Sequence, residues 1–173
     1  AVGTLVLAVG AGYLIGGIRS ALVVAALTLF IALSPWWDRA LVTLYMATFG
    51  VVISCLIGFT VGTLCFQNKK SAAFMLGVCD IFQTFPSFVY LIPVMMLFGI
   101  TDTSVLIAVI VYATIPATRY TIEGLRSVPV GLHEAATMSG VNKFQRLTKI
   151  EFPLAFPHMM LGLNQTIVFA LFM

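Results

Sequence analysis

The chain has 173 residues, of which 61% are hydrophobic and 9% are charged, and its mean hydropathy is +1.09. A soluble domain carries about a quarter charged residues, so this chain lacks the polar surface that a water-exposed globule needs. The net charge of +3 is small and gives no reason to expect a nucleic-acid partner. We therefore predict an integral membrane protein.

The apolar residues form runs that match membrane-spanning helices, which need about 20 residues each. In chain order, the predicted segments are residues 1–18, 21–34, 41–66, 72–99, 104–120 and 156–173, of which the second is short. Continuous runs favour helices over a barrel, whose strands alternate. We predict an all-α polytopic helical bundle. Because the sequence opens without methionine and stops within an apolar run, we expect a fragment truncated at its C-terminus.

The basic residues predict the orientation of these segments. If Lys69 and Lys70 lie in the cytoplasm, alternation of the spans places eight of the nine Lys and Arg residues on that side. The positive-inside rule expects such a bias. The opposite side receives Trp36 and Trp37, which suit an interfacial aromatic belt.

Small residues at helical spacing occur in two of the predicted spans. Gly12 and Gly16 form one such pair, and Gly58 and Gly62 form another. A G-x-x-x-G pair can let two helices approach closely, although the pattern is also common by chance in glycine-rich spans.

Catalytic and metal-binding patterns do not stand out in this sequence. Cys55, Cys65 and Cys79 lie in apolar surroundings without C-x-x-C spacing, so we predict packing roles and no metal. The sequence contains no G-x-x-x-x-G-K-[ST] loop for ATP phosphates. We expect no cofactor and no enzymatic activity, with energy supplied by a partner.

One long polar stretch, residues 123–151, separates the last two apolar runs. We predict a hairpin of two short helices there: residues 130–139, a stop at Gly140, an Asn142 cap, and residues 143–151 ended by Pro153. Because this hairpin is predicted to lie outside the membrane, its apolar residues are not buried in lipid: Leu132, Ala135, Ala136, Met138, Val141, Phe144 and Leu147. Such a surface marks either a partner site or a hairpin that rests on anionic lipid headgroups, and the residues alone leave both open.

The order of residues in this hairpin resembles the signature of bacterial ABC importer permeases. That signature reads E-A-A, three residues, G, nine residues, I-x-L-P, and the matching residues here are Glu134, Ala135, Ala136, Gly140, Ile150 and Pro153, with Phe152 in place of leucine. The resemblance implies a methionine-importer-like (type I) fold, in which the hairpin, about 123–155, inserts into a groove on a separate ATP-binding subunit. Glu134 would make polar contacts there, Gly140 would allow the bend, and the two alanines would permit close approach.

Two further segments, residues 83–93 and 162–166, resemble the glycine betaine/proline betaine permease group. The likeness covers residues 41–173, which would form an incomplete permease core, with residues 1–40 as extra N-terminal transmembrane segments. It implies a multi-pass protein of the bacterial inner membrane that imports a quaternary amine or related compatible solute. The implied partners are an ATP-binding subunit, a substrate-binding protein, a second permease copy and membrane lipid.

Polar and aromatic residues within the spans are candidates for a translocation path or a helix kink: Gln83, Thr84, Pro86, Tyr90, Asn164 and Gln165. Pro86 can kink its span, and the polar residues beside it either line a water-filled path or bond the freed carbonyls. Tyr90, Phe85 and Phe88 could cage a quaternary ammonium group or simply pack. Asp80 and Arg119 could form an ion pair between helices or serve function.

Two other functions stay open at this point. A permease for another small solute, such as an amino acid, would carry the same hairpin signature. An ion-coupled secondary transporter would show inverted repeats and ionisable residues deep in its spans, and no convincing repeat is present.

Overall fold

The computed structural model describes residues 2–173, which are helical apart from short connections. In chain order the helices are α1 (Val2–Leu33), α2 (Trp37–Phe66), α3 (Lys69–Thr84), α4 (Phe88–Phe98), α5 (Asp102–Arg126), α6 (Val130–Met138), α7 (Lys143–Arg146), a π-helical turn (Leu147–Glu151) and α8 (Phe152–Phe172). No strand occurs between residues 2 and 173, so the predicted all-α class is confirmed. The start of the first predicted segment, Ala1, lies outside the described residues.

The apolar helices agree with the predicted spans. Four helices are long and apolar enough to cross a membrane: Gly3–Leu33, Trp37–Phe66, Asp102–Arg126 and the continuous Lys143–Phe172. Helices α3 and α4 form a fifth candidate, bent by 86° at the break between them. The chain divides into two compact units, Ala1–Tyr45 and Met46–Met173, which are described separately. The predicted division after residue 40 stays a prediction.

In the first unit, α1 consists of two helical segments and is not one straight helix. Gly16 and Gly17 leave the helical conformation, and Gly17 has φ +68°, which a residue with a side chain rarely adopts. A Cβ placed on Gly12 would lie 3.1 Å from Val24 Cγ2, whereas a straight helix separates residues twelve apart by about 18 Å. The chain therefore folds back at Gly16–Gly17. This break falls near the end of the first predicted segment, residues 1–18, and Gly16 forms the turn and not a packing face.

In the second unit, α2 packs closely on α5 through small residues at every fourth position. These are Gly50, Ser54, Gly58 and Gly62, and all four are buried. A Cβ on Gly62 would lie 2.7 Å from Thr121 Cβ, and Ser54 Oγ donates a hydrogen bond of 3.0 Å to the Ile110 carbonyl. The close approach predicted for Gly58 and Gly62 is confirmed, and it occurs within the chain.

Helix α5 is the centre of this unit because it also contacts α3, α4 and α8. Two glycines bring α8 close to it: a Cβ on Gly124 would lie 2.8 Å from His158 Cβ, and one on Gly162 would lie 2.8 Å from Tyr120 Cβ. Small apolar side chains, including Ala113 and Ala170, fill the core between α2, α5 and α8. Along the chain, the α3–α4 break comes before α5 and the polar hairpin comes after it.

Candidate functional site

The hairpin between α5 and α8 is built around a helix stop at Gly140. The Gly140 N–H donates to the Thr137 carbonyl and the Val141 N–H donates to the Ala136 carbonyl, both at 3.1 Å. This pair of bonds is the Schellman motif, which requires a left-handed residue after the helix. Gly140 supplies it with φ +72°. The backbone conformation of this turn therefore favours glycine at position 140, whether or not a partner binds.

The second helix of the hairpin begins with a capping box, as Asn142 predicts. Asn142 Oδ1 accepts a hydrogen bond of 2.8 Å from the Gln145 N–H, and Gln145 Oε1 accepts one of 3.2 Å from the Asn142 N–H. The two bonds satisfy backbone donors that the first turn of a helix leaves unpaired. Only two residues therefore connect the Gly140 turn to the start of α7.

The expectation that Pro153 ends the second helix is wrong. The helix passes through the π-helical turn and continues into α8, where Pro153 occupies the first turn. Proline is tolerated at that position because the first turn does not use its N–H groups within the helix. The π-helical turn shifts the bonding before the proline, so that the Phe152 N–H donates to the Leu147 carbonyl five residues back.

A buried ion pair ties α7 to this turn. Arg146 Nε lies 2.9 Å from Glu151 Oε1, and the Glu151 side chain is 2% exposed. A buried carboxylate is costly unless it is paired, so the pair fixes the direction in which α7 leaves the turn. Glu151 was not singled out by the sequence because its partner depends on the unexpected π-helical turn.

Four of the six predicted docking residues line one open groove of about 510 Å³: Ala135, Ala136, Ile150 and Pro153. The groove lies between α6 and the segment that leads into α8, and Lys149 borders it. Ala136 is 4% exposed, so its small side chain lets α6 pack on the chain itself. Glu134 and Gly140 are exposed outside this lining.

Large apolar side chains on the hairpin face solvent. Met138 is 91% exposed, Phe144 is 73% exposed and Val130 is 69% exposed. Exposed apolar residues beside charged ones are typical of an interaction surface. Val130 and Met138 lie on α6, which borders the 510 Å³ groove, so α6 and this groove together form the candidate docking site.

The second candidate region is the break between α3 and α4 at Pro86. Thr84 Oγ1 donates a hydrogen bond of 2.7 Å to the Ile81 carbonyl, and the Tyr90 hydroxyl donates to the Phe82 carbonyl. These bonds occupy carbonyls at the end of α3, where the helix no longer supplies donors. Both side chains thus bond carbonyls at the bend, a contact that the sequence suggested for Thr84 but not for Tyr90. Their place in a translocation path stays a prediction.

Arg119 on α5 joins the end of α3 to α5. Its Nη1 donates to Asp80 Oδ1 and, at 3.0 Å, to Gln83 Oε1, while its Nε donates to Glu123 Oε1 at 3.0 Å. The ion pair between Asp80 and Arg119 is one of the two roles that the sequence leaves open. Glu123 was missed as a third member, although its spacing of four residues from Arg119 on one helix is a recognisable signal.

Aromatic rings form a row beside the same break. The ring centroids of Phe82 and Tyr90 are 6.1 Å apart, those of Tyr90 and Tyr112 are 5.1 Å apart, and those of Tyr112 and Phe169 are 4.7 Å apart. Tyr112 and Phe169 were not predicted, since residues on four different helices contribute to the row. Of the predicted cage residues, Phe85 meets Phe82 edge-on and Phe88 is 66% exposed.

The two polar residues predicted on α8 differ from each other in exposure. Asn164 is exposed and Gln165 is half-buried, while Thr166 beside them is fully buried and bonds the Gly162 carbonyl. Within residues 2–173 no group of three or more His, Cys, Asp or Glu could hold a metal ion.

Comparison with known proteins gives a consistent result. The sequence profile of binding-protein-dependent transport system inner membrane components matches residues 50–173. The chain is 88% identical over its whole length to the trimethylamine N-oxide transport system permease protein of Pelagibacter ubique, of which it covers 24%. It is 47% identical, over 94% of its length, to the protein of the same name from Ruegeria pomeroyi, covering 25% of it.

A third relative is the glycine betaine/proline betaine transport system permease protein of Escherichia coli. The identity is 37% over 137 residues, which is 79% of this chain and 39% of that protein. The chain spans about a quarter of the length of the first two relatives.

Proposed function

Since the chain belongs to the family of binding-protein-dependent transport system inner membrane components, as a multi-pass inner-membrane protein, we propose that it forms part of an ATP-driven importer for a small methylated amine. The role proposed for it is passage of the solute across the membrane. Hydrolysis of ATP is assigned to a separate ATP-binding subunit, and delivery of the solute to a substrate-binding protein.

The observation that carries this proposal is the hairpin. Its Schellman turn and capping box give it a fixed shape, while Val130 and Met138 on α6 stay exposed. A rigid apolar surface at the charged face of a membrane protein fits insertion into a partner's groove. Glu134, exposed beside the groove, is placed to make the polar contacts of that interface.

The hairpin can couple ATP to transport because it is continuous with α8 through the π-helical turn. When two ATP-binding subunits close on ATP, the docked hairpin would move with them and α8 would follow. Such coupling needs ATP to favour one arrangement of the spans over the other, since equal affinity for both would shift nothing. We propose that a second permease core completes the path.

For the solute we propose trimethylamine N-oxide first, with glycine betaine as the second candidate. The relative at 88% identity is named for trimethylamine N-oxide, and the betaine relative is 37% identical. Both solutes carry a positive trimethylated nitrogen and an anionic oxygen. A cationic methylated nitrogen is attracted to aromatic faces, and Phe82 and Phe85 beside the α3–α4 break are 42% and 43% exposed.

The proposal is tested by uptake into liposomes that contain the full-length permease, its ATP-binding subunit and its substrate-binding protein. We expect labelled trimethylamine N-oxide to accumulate only when ATP and all three proteins are present. Excess unlabelled glycine betaine is the competitor that ranks the two solutes. Uptake that persists without ATP and follows an ion gradient would refute the importer. Uptake of glycine betaine alone would refute the choice of solute and leave the importer intact.

A further inference from the structure

A second groove, of about 380 Å³, lies between the end of α2 and the start of α7. We call it the α2–α7 groove; it is lined by Phe66, Gln67, Lys143, Phe144, Arg146 and Leu147. It is separate from the 510 Å³ groove of the docking site, because the two share no lining residue. Neither the hairpin signature nor the path residues include Lys143 or Phe66, so the proposed function leaves this groove unexplained.

The charge of the α2–α7 groove is positive. Arg146 pairs with Glu151 through its Nε, and its side chain, 33% exposed, also lines the groove. Glu151 also borders the groove, but its carboxylate is turned inward and is 2% exposed. Lys143 is exposed, and no acidic side chain of the described chain pairs with it. An anion that entered the groove would therefore meet two cationic side chains.

The groove also has apolar side chains in its lining, Phe66 and Leu147 among them, and it begins where a candidate membrane span ends. Phe66 is the last residue of an apolar helix, and the next residues along the chain are Gln67, Asn68, Lys69 and Lys70. On the other wall, Phe144 is 73% exposed beside Lys143. Aromatic residues next to lysines at the end of a span are typical of the headgroup region of a bilayer. An occupant of this groove has to combine an anionic part with an apolar part.

From this combination we propose that the α2–α7 groove binds the headgroup of an anionic phospholipid of the cytoplasmic leaflet. The Lys143 Nζ and the Arg146 Nη groups contact the phosphate, and Phe66 and Phe144 pack against the glycerol and the first methylenes of the acyl chains. A soluble phosphate compound would use the cations but leave the Phe144 ring exposed and the Phe66 ring half-buried. The surface proposed above for the ATP-binding subunit is a different one, on α6 and around the 510 Å³ groove that Lys149 lines.

The test compares Lys143→Gln with Lys149→Gln in the full-length permease. Both changes remove one positive charge from the same helical segment, but only Lys143 lines the α2–α7 groove. The affinity of each variant for fluorescent phosphatidylglycerol is measured in detergent, with phosphatidylcholine as the neutral reference. One basic residue near an anionic lipid is worth about 1 kcal/mol, so we expect Lys143→Gln to weaken phosphatidylglycerol binding about fivefold. Lys149→Gln and Lys143→Arg should bind as the unchanged protein does.

Three results would overturn the proposal. Equal losses for the two glutamine variants would mean diffuse surface charge and no site. Displacement of the lipid by glycerol phosphate at the same concentration would mean a bare anion site. Displacement of the lipid by the ATP-binding subunit would mean that the groove belongs to that partner. Thermal unfolding of both variants serves as the folding control, and no outcome depends on transport, so failure here leaves the proposed importer untouched.

Discussion

Substitution of Gly140 by alanine tests the hairpin most directly, because the structure isolates a single effect. Gly140 has φ +72°, and a Cβ placed there would meet no heavy atom within 4 Å. The cost of Gly140→Ala therefore comes from the backbone alone and not from a clash. An L-residue in the left-handed region pays about 1–2 kcal/mol. Asparagine tolerates this region better, so Gly140→Asn should cost less.

We expect this strain to appear as weaker binding of the ATP-binding subunit. If docking requires the Schellman turn, about 1–2 kcal/mol corresponds to an affinity about 5- to 30-fold lower. The affinity is measured by titrating labelled ATP-binding subunit onto full-length permease in nanodiscs. Gly131→Ala is the matched control, because Gly131 lies on α6, has open space around it and has no left-handed φ.

The turn itself has an independent measurement. The Val141 N–H donates to the Ala136 carbonyl, so its hydrogen exchange should quicken in Gly140→Ala and stay slow in Gly131→Ala. Equal affinities for Gly140→Ala, Gly131→Ala and the unchanged protein would refute the reasoning that a fixed turn is needed for docking. Faster exchange at Val141 with unchanged affinity would show that the turn forms as described but that docking does not depend on it.

Three other substitutions are expected to separate packing from coupling. Gly58→Val should lower the free energy of unfolding by about 1–3 kcal/mol, because its Cβ would overlap an alanine of α5. Gly77 has open space around it, so Gly77→Ala should not lower this free energy in the same way. Thermal unfolding in detergent measures both variants. Glu151→Gln should weaken the bond to Arg146, and we expect ATP hydrolysis to continue with less solute uptake per ATP; an unchanged ratio would argue against a role in coupling. Glu134→Lys should abolish the stimulation of ATPase activity by solute while membrane insertion is normal, and full stimulation would contradict its place in the interface.

Much of the fold follows from local sequence patterns. The apolar runs predict α2, α5 and α8, and the Gly140 stop and the Asn142 cap predict both ends of the hairpin's bend. These features depend on residues close in sequence, where backbone hydrogen bonds and left-handed turns have recognisable residue preferences. The close approach at Gly58 and Gly62 was likewise readable from spacing, although its partner helix was not.

The features that were missed depend on geometry beyond neighbouring residues. Pro153 reads locally as a helix breaker, and only the π-helical turn before it allows the helix to continue. The Arg119 cluster takes members from α3 and α5, and the aromatic row takes members from four helices. Such groups form when helices pack, and no single-helix pattern distinguishes their residues from ordinary core residues.

The uninterrupted path from α7 through the π-helical turn into α8 has a mechanical consequence. A loop would absorb a small displacement as slack, whereas a continuous helix behaves as a stiff lever that converts a push at one end into a tilt along its length. The Arg146–Glu151 pair stiffens the elbow of this lever, and Gly124 and Gly162 mark where it bears on α5 at backbone distance. A displacement of the hairpin would therefore be transmitted along α8 to its contacts with α5, as a tilt of the whole helix.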